Sequence, residues 1–264
     1  MIGLHPTGRL GNMMFIIARG ESWRQQGYDV VYRDMDKWFD WVTRTFEGSS
    51  HAREYKAIFK NFNWYKYNDT SEEGFRQRRL PFRFVDFKPE DGVEYIAYFQ
   101  SEKNFKDRDF IKYLFEPTDA IKERLLKYDD LLQGKTCSIH VRRGDYLGSQ
   151  GQHPVLTMDY YDDAVFTLEP FKIDRYLVFS DDIPWCKENF KGRACIFISD
   201  KDYVELFLAS RCNHHIISNS SFGWWQAWLG ETLGSAIIAP RIWFGGDKPI
   251  DFADDLVPQR WIRL

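Results

Sequence analysis

A regular alternation of short apolar runs with helical patterns constrains the fold of the second half of the chain most strongly. The apolar runs predict strands at residues 137–141, 176–180, 196–199, 215–219 and 236–239. Helical patterns separate these strands at residues 160–168, 185–190, 202–211 and 222–233. Because strands that alternate with helices pair in parallel, this half predicts an α/β fold with helices on both faces of a parallel sheet.

The first half of the chain opens with a similar pattern. Short strands are expected at residues 2–4, 30–32 and 95–99, and helices at residues 12–26, 101–115 and 117–132. A glycine-containing loop joins the first strand to the first helix, for which Asn12 is the predicted cap. The pattern predicts a second parallel layer, and we expect two domains, residues 1–125 and residues 126–264.

Polar residues cluster at three predicted strand ends in the second half. The clusters are residues 140–145, 179–182 and 217–222, and they are rich in basic, acidic and hydroxyl side chains respectively. Because the carboxyl ends of parallel strands meet at one edge of a sheet, we expect the three clusters to converge on a single ligand. This combination of groups suits a nucleotide diphosphate.

Arg142 and Arg143 are the central residues of the first cluster. A guanidinium group offers paired donors that match phosphate or carboxylate oxygens, and two in succession at a strand end indicate a bound anion. The alternative is that Arg–Asp pairs hold the loop in place. The residues alone leave both interpretations open.

The other two clusters each have a similar alternative. Ser218, Ser220 and Ser221 precede a predicted helix, whose N-terminus favours a negatively charged group, although a serine there also serves as an ordinary N-cap. Asp181 or Asp182 would accept hydrogen bonds from a base or a ribose. Either would equally cap the helix that follows.

Charge and cysteine usage exclude several classes of protein. A net charge of −3 and a pI near 6.1 argue against nucleic acid or a membrane surface as the main partner, and leave peripheral membrane association open. The four cysteines have no C-x-x-C spacing and are expected to be reduced core thiols. No run approaches the ~18 apolar residues that a membrane span needs, and we expect a cytoplasmic protein without a signal peptide.

Three further motifs bear on metal binding, surface charge and cellular location. Asp34 and Asp36 form a D-x-D pattern by which one class of sugar-nucleotide transferases holds a metal ion. The basic run at residues 76–79 is interpreted as a solvated face. The sequon at residues 219–221 lies inside the proposed site and would block it if glycosylated, which favours a cytoplasmic location.

Six motifs of the chain resemble those of one known family, the inverting α1,2-fucosyltransferases, whose signature is H-x-R-R-G-D-Y. The chain carries H-V-R-R-G-D-Y at 140–146, G-R-L-G-N-M-M-F at 8–15, Y-F-Q-S-E-K-N-F at 98–105, F-S-D-D-I-P-W-C at 179–186, H-I-I-S-N-S-S-F-G-W-W-Q-A-W-L at 215–229 and A-P-R-I-W-F at 239–244. The motifs follow the order of the family and extend over nearly the whole chain.

The resemblance implies two Rossmann-like domains that face a cleft, a glycosyltransferase fold of the GT-B type. Residues 1–125 would form the acceptor side and residues 126–264 would bind the GDP-sugar. The implied reaction moves L-fucose from GDP-β-L-fucose to a hydroxyl of a glycan acceptor, O2 of a galactose, and forms an α1,2 linkage. The implied partners are GDP-L-fucose and an oligosaccharide, with no cofactor and no required metal.

The resemblance also implies roles for individual residues. Arg142 would grip the diphosphate, His140 would lie near the guanine, and Asp145 would orient the arginines, so that Arg142 and Asp145 form the catalytic group. The full set implied in donor binding is His140, Arg142, Arg143, Asp181, Asp182, Asn219, Ser220, Ser221, Phe222, Gly11 and Asn12.

Departures from the family pattern leave acceptor choice and donor identity open. Arg9 and Met13 stand where Gly and Gln are usual, and Gly223 stands where Ser is common.

The base that would deprotonate the acceptor is not identified; the candidates are Asp36, Glu102 and Asp145. His153 either lines the cleft or packs. Two other functions stay open: a metal-dependent transferase that uses Asp34 and Asp36, and a non-catalytic protein that binds a sugar nucleotide or a glycan.

Overall fold

The computed structural model of the protein describes residues 1–46, 50–71, 74–246 and 254–264. The chain forms two compact units, Met1–Asp119 with Asp254–Leu256 and Ala120–Ala253 with Val257–Leu264. Sequence reasoning placed the division between residues 125 and 126. Each unit contains its own parallel sheet, which confirms the predicted α/β class.

The N-terminal unit has five strands. They are β1 (Ile2–Leu4), β2 (Val30–Arg33), β3 (Asn68–Asp69), β4 (Arg76–Arg79) and β5 (Val93–Ile96), in the order β3-β2-β1-β5-β4 with every pair parallel. Its helices are α1 (Leu10–Gln25), α2 (Met35–Thr45) and α3 (Arg108–Leu114), with 3-10 turns at Ala52–Ala57 and Glu102–Asn104. The basic run is the exposed edge strand β4, so its charges are solvated as predicted.

Two helix predictions in the first half need correction. The pattern expected over residues 101–115 is a 3-10 turn followed by α3, because the Asp107 side chain accepts a hydrogen bond from Phe110 N (2.9 Å) and starts a new helix. The pattern expected over 117–132 is α4 (Asp119–Leu125) followed by a 3-10 helix, Leu126–Leu132. Asn12 lies inside the first turn of α1, whose N-cap is Arg9.

The C-terminal unit has six strands. They are β6 (Thr136–Val141), β7 (Arg175–Ser180), β8 (Cys195–Ile198), β9 (His214–Ile216), β10 (Ile237–Ala239) and β11 (Ile262–Arg263), in the order β11-β10-β9-β6-β7-β8 with every pair parallel. Its further helices are α5 (Met158–Thr167), α6 (Ile183–Asn189), α7 (Asp202–Ala209) and α8 (Ser221–Gly230), with 3-10 turns at Gly144–Gly148 and Glu169–Phe171.

Strand β6 lies in the middle of this sheet and is buried along its whole length. Its two faces differ because side chains alternate across a strand. Cys137, Ile139 and Val141 belong to the apolar core beneath the sheet. The opposite face is polar, and its buried groups are satisfied: Ser138 Oγ lies 2.7 Å from His215 Nδ1, and the Thr136 and His140 side chains are also hydrogen-bonded.

The strand order creates a topological switch point between β6 and β9. The chain passes outward from β6 through β7 to β8, and then continues on the other side of β6 with β9, β10 and β11. In open α/β sheets, ligands bind beyond the carboxyl ends of the two strands at such a point. The loops after β6 and β9 are therefore the expected position of a binding site in this unit.

Candidate functional site

Arg142 follows β6 directly, and two carboxylates hold its guanidinium group. Its Nη1 lies 2.7 Å from Asp181 Oδ2, and its Nη2 donates a hydrogen bond to Asp145. Only 13% of the Arg142 side chain is exposed. The guanidinium group also lies 5.3 Å from the centre of the Tyr146 ring. These contacts hold the fork of Arg142 in one orientation at the switch point.

Arg143 is held separately from Arg142. Its Nε donates to Asp182 Oδ2 (3.1 Å), and its guanidinium carbon lies 4.1 Å from the centre of the Trp185 ring. Its backbone N–H donates to Asp181 Oδ1 (2.9 Å). The Arg–Asp pairing that the residues alone left open is therefore present, and the two guanidinium groups have different carboxylate partners.

The two aspartates after β7 also have different roles. Asp182 is the N-cap of α6, because its Oδ1 accepts a hydrogen bond from Trp185 N (3.1 Å). Asp181 instead reaches the loop after β6. A Cβ atom at Gly144 would lie 2.5 Å from Asp181 Oδ2, so the glycine of the signature leaves room for this carboxylate. A contact of either aspartate with a nucleoside stays a prediction.

His140 lies near the end of β6 and is 6% exposed. Its Nδ1 is 2.8 Å from Ser218 Oγ, and Phe222 lies beside its ring at 5.9 Å. Burial lowers the pKa of His140 to about 4, against an opposing contribution from the charge of Asp181. A Cβ atom at Gly223 would lie 2.8 Å from His140 Nδ1, so glycine at this position lets α8 approach the imidazole.

The N-terminus of α8 lies directly beyond β9. Ser220 is its N-cap, with the side-chain oxygen 3.3 Å from Phe222 N, and Ser221 is its first residue. The ordinary capping role left open for one serine is therefore that of Ser220. The first turn of a helix presents backbone N–H groups and the positive end of the helix dipole, a combination that binds anions.

Asn219 is 1% exposed and connects three parts of the unit. Its Nδ2 donates to the carbonyl oxygens of Pro154 (3.0 Å) and Trp243 (3.1 Å). Its Oδ1 is buried without a hydrogen-bond partner among the described residues. Burial keeps this sequon asparagine from solvent, and its predicted contact with the donor stays a prediction.

Tyr146, the last residue of the signature, was not among the predicted site residues. Its hydroxyl donates to the Asn219 carbonyl oxygen (3.0 Å), and burial raises the pKa of Tyr146 to about 12. His153 stacks on the Tyr146 ring at 4.7 Å and lies 5.9 Å from Phe244. Of the two interpretations of His153, the structure therefore has the packed one. The sequence signal that could have identified Tyr146 is its position in the signature motif.

Gly11 and Asn12 belong to the first turn of α1, in the N-terminal unit. Asn12 Oδ1 accepts a hydrogen bond from Gln100 Nε2 (2.6 Å). Gly8 has φ +70°, and a Cβ atom there would lie 2.0 Å from Asn12 Nδ2, so this loop requires glycine at position 8. Participation of Gly11 and Asn12 in donor binding stays a prediction.

Asp34 and Asp36 each pair with a lysine. Asp34 Oδ2 lies 3.0 Å from Lys37 Nζ, and Asp36 Oδ1 accepts from Lys56 (3.3 Å) and Tyr65 (2.9 Å). Within the described ranges, no group of three or more His, Cys, Asp or Glu residues is arranged to hold a metal ion. A search of the same residues finds no helix of the length and apolarity that a membrane crossing requires.

Comparison with known proteins identifies a family and individual proteins whose sequences are similar to this chain. The sequence profile of Glycosyl transferase family 11 matches residues 44–253. The chain is 27% identical over 286 residues to the alpha-1,2-colitosyltransferase of Escherichia coli, covering 98% of this chain and 97% of that protein. It is 26% identical over 191 residues to galactoside alpha-(1,2)-fucosyltransferase 2 of Rattus norvegicus, covering 66% and 52%.

The fold also has a solved counterpart. The structure of NodZ alpha-1,6-fucosyltransferase co-crystallized with GDP, an enzyme from Bradyrhizobium, superimposes with a TM-score of 0.51. The match covers 85% of this chain and 91% of that chain at 12% sequence identity. At this identity the likeness shows a shared fold.

Proposed function

The chain belongs to glycosyl transferase family 11, and from this premise we propose that it transfers L-fucose from GDP-β-L-fucose to a galactoside. The acceptor atom is O2 of a galactose in an oligosaccharide, and the product linkage is α1,2. The C-terminal unit binds the donor and the N-terminal unit forms the acceptor side. The resemblance of the signature motifs and the name of the rat relative support this choice of donor and acceptor.

One observation carries the proposal. The loop after β6 and the N-terminus of α8 both lie at the switch point of the C-terminal sheet. The first supplies the oriented guanidinium group of Arg142, and the second supplies backbone N–H groups and the Ser220 hydroxyl. Donors of this kind at adjacent strand ends suit the two phosphates of GDP.

The proposed reaction is a direct displacement with inversion at the anomeric carbon. As the acceptor oxygen attacks, the bond from that carbon to the phosphate oxygen breaks, and its electron pair leaves with GDP. Negative charge grows on the diphosphate, where Arg142 and the α8 N-terminus would stabilise it. Asp145 and Asp181 keep Arg142 oriented, and preorganised donors of this kind lower the barrier.

A donor that carries colitose is a second candidate, because the E. coli colitosyltransferase matches nearly the full length of this chain. Colitose lacks the 3-hydroxyl group of L-fucose. A site that hydrogen-bonds this hydroxyl discriminates strongly against the deoxy sugar, whereas a site that only packs against it does not. Parallel assays with GDP-fucose and GDP-colitose distinguish the two donors.

The proposal is tested by incubation with GDP-fucose and a panel of galactose-terminated acceptors, followed by determination of the product linkage. We expect an α1,2-fucosylated galactoside, and the same rate in excess EDTA. A rate that EDTA abolishes would favour the metal-dependent alternative. Tight GDP binding without transfer to any acceptor would favour the non-catalytic one.

Arg142→Lys provides the site-directed test. Lysine keeps the charge and loses the fork, so we expect the transfer rate to fall about 10²- to 10³-fold. Arg211→Lys is the matched control, because Arg211 pairs with Asp129 on an exposed surface of the same unit, and we expect it to keep the wild-type rate. Near-normal transfer by Arg142→Lys would refute the assignment.

We also propose a cytoplasmic location for the reaction. The four cysteines, Cys137, Cys186, Cys195 and Cys212, are free thiols, as expected in a reducing compartment. The sequon asparagine Asn219 is buried and its amide is engaged in two hydrogen bonds, so glycosylation there would require local unfolding.

A further inference from the structure

Transfer to a galactose hydroxyl releases a proton, and two of the three carboxylates considered as its acceptor are engaged in other contacts. Asp145 is paired with Arg142, and Asp36 with Lys56 and Tyr65. The N-terminal unit, however, contains a histidine and a carboxylate arranged as a dyad.

The dyad consists of His5 and Glu94. His5 Nδ1 lies 2.9 Å from Glu94 Oε1, and the other carboxylate oxygen, Oε2, accepts a hydrogen bond from Gln77 Nε2 (2.9 Å). The Glu94 side chain is 8% exposed, whereas the His5 side chain is 44% exposed. A buried carboxylate therefore holds an imidazole that is accessible to solvent.

Strand register explains how two residues far apart in sequence meet. Gly3 of β1 pairs with Glu94 of β5, and Gln77 of β4 pairs with the same residue. A Cβ atom at Gly3 would lie 3.2 Å from both Cα and Cβ of Glu94, so the absence of a side chain there leaves space beside the carboxylate. His5 follows β1, and its backbone N–H donates to Tyr95 O (3.1 Å), which keeps it in register with β5.

His5 also lies at the carboxyl-end edge of the sheet, two residues beyond the position that pairs with Glu94. In the order β3-β2-β1-β5-β4, the neighbours β1 and β5 form the switch point of the N-terminal sheet. His5 is the first residue beyond the carboxyl end of β1 and precedes the loop that contains Gly8. This is the position in which an open parallel sheet presents groups to a ligand.

The hydrogen bond to Glu94 has a chemical consequence. With the Nδ1 proton donated to the carboxylate, Nε2 of the neutral imidazole is the proton acceptor. The carboxylate also stabilises the imidazolium ion that forms when Nε2 takes a proton, as the carboxylate partner does in His-dependent hydrolases.

We propose that His5 is the general base of the transfer reaction and that Glu94 is its positioning residue. The inference rests on the proposed function. The acceptor O–H proton passes to His5 Nε2 while the acceptor oxygen forms its bond to the anomeric carbon. The bond to the phosphate oxygen breaks in the same step, and its electron pair leaves with GDP. The imidazolium ion then releases its proton to solvent.

His5→Ala is the first test. We expect kcat to fall about 10²- to 10⁴-fold, with an unchanged Kd for GDP and an unchanged circular dichroism spectrum. Imidazole added to this variant should restore transfer in proportion to its concentration, which a structural role would not produce. His5→Gln serves as a second variant, because it keeps a polar side chain at the position if His5→Ala does not fold.

His51→Ala is the matched control, since His51 packs against Tyr55 in the same unit, and we expect it to retain the wild-type rate. Glu94→Gln should lower kcat about 10- to 100-fold, the usual cost of losing the partner that orients a functional histidine, with the KM for the acceptor unchanged. Imidazole should not rescue this variant.

The outcomes separate the inference from the proposed function. If the wild-type protein makes no fucosylated or colitosylated product, the proposed function fails. If the wild type transfers and His5→Ala and His5→Gln keep a rate within about threefold of it, below the effect of a general base, then His5 is not the base. Failure of imidazole to restore a slow His5→Ala variant overturns the inference as well.

Discussion

At the scale of single residues, His140 shows how neighbours decide the state of a side chain. The residue belongs to the polar face of β6. Its Nδ1 is hydrogen-bonded to the hydroxyl of Ser218, which lies in the loop after β9. Because the imidazole is buried and its pKa is lowered to about 4, it is neutral at pH 7. A nucleoside contact by His140 would therefore use a neutral ring, with Nε2 as the remaining polar atom.

The lowered pKa of His140 predicts a loss of stability in acid. The unfolded chain takes up a proton near pH 6.5 while the folded protein does not until about pH 4, so the contribution present above pH 6.5 is lost as the pH falls through that window. Between pH 7 and pH 4.5, we expect His140→Gln to lose about 2–3 kcal/mol less unfolding free energy than the wild type. Urea unfolding at both pH values measures this difference, and equal losses in the two proteins would contradict it.

Neighbouring side chains also explain the glycines at positions 144 and 223. The first belongs to the signature motif, and the second is a departure from the family pattern. Each lies against a side chain from another segment, Asp181 for Gly144 and His140 for Gly223. Local sequence shows that a glycine is present, whereas the atom that it accommodates comes from elsewhere in the chain.

At the scale of elements, α8 is the helix whose N-terminus forms part of the proposed donor site. Trp224 stacks on Trp228 at 5.8 Å and contacts Trp225 and Trp261, and all four rings are buried. The burial of these large rings, and the contact with Trp261, fix the position of the helix within the unit. Its N-terminus is therefore held at the end of β9, as a preorganised anion site requires.

Replacing the N-cap of α8 is expected to affect stability and ligand binding together. Ser220→Ala removes the oxygen that accepts from Phe222 N, so we expect the free energy of unfolding to fall by about 1 kcal/mol. We also expect the Kd for GDP to rise. Ser220→Thr keeps the cap and should retain most of both properties. Calorimetric titration with GDP and chemical unfolding measure the two effects; an alanine variant unchanged in both would contradict the role of α8.

Elements also differ in how well sequence reasoning predicted them. The central strand β6 was predicted within one residue of its start, because a continuous buried apolar run is a strong local signal. The edge strand β4, R-Q-R-R, was missed as a strand, because its exposed charged residues lack any apolar alternation. It forms because β5 provides a hydrogen-bonding edge.

At the scale of the whole molecule, the chain consists of two units, each with a parallel sheet and a switch point of its own. The proposed donor groups all come from the C-terminal unit, and the proposed base comes from the N-terminal unit. The family match, residues 44–253, includes parts of both. Mutations in the two units should therefore separate donor binding from proton transfer.

GDP is expected to protect one unit more than the other. At a concentration ~100 times its Kd, a ligand that binds only the folded state adds about 2.7 kcal/mol of stability. In hydrogen exchange, we expect the added protection in residues 140–146 and 218–224, with less change in β1 and β2. The Arg142→Lys variant should show less of this protection. Protection confined to the N-terminal unit would contradict the assignment of the donor site.

The sequence by itself determined the α/β class, the two parallel sheets and the membership of the family. These properties depend on local patterns: apolar runs, helical periodicity, and motifs in a fixed order. Only the tertiary structure decided which partner each polar side chain takes. It paired Arg142 with Asp181, made Asp182 the cap of α6, and brought His5 to Glu94 across 89 positions of sequence. Such pairings depend on the order and register of the strands. Local sequence patterns do not specify strand order or register, because both are set by contacts between residues far apart in the sequence.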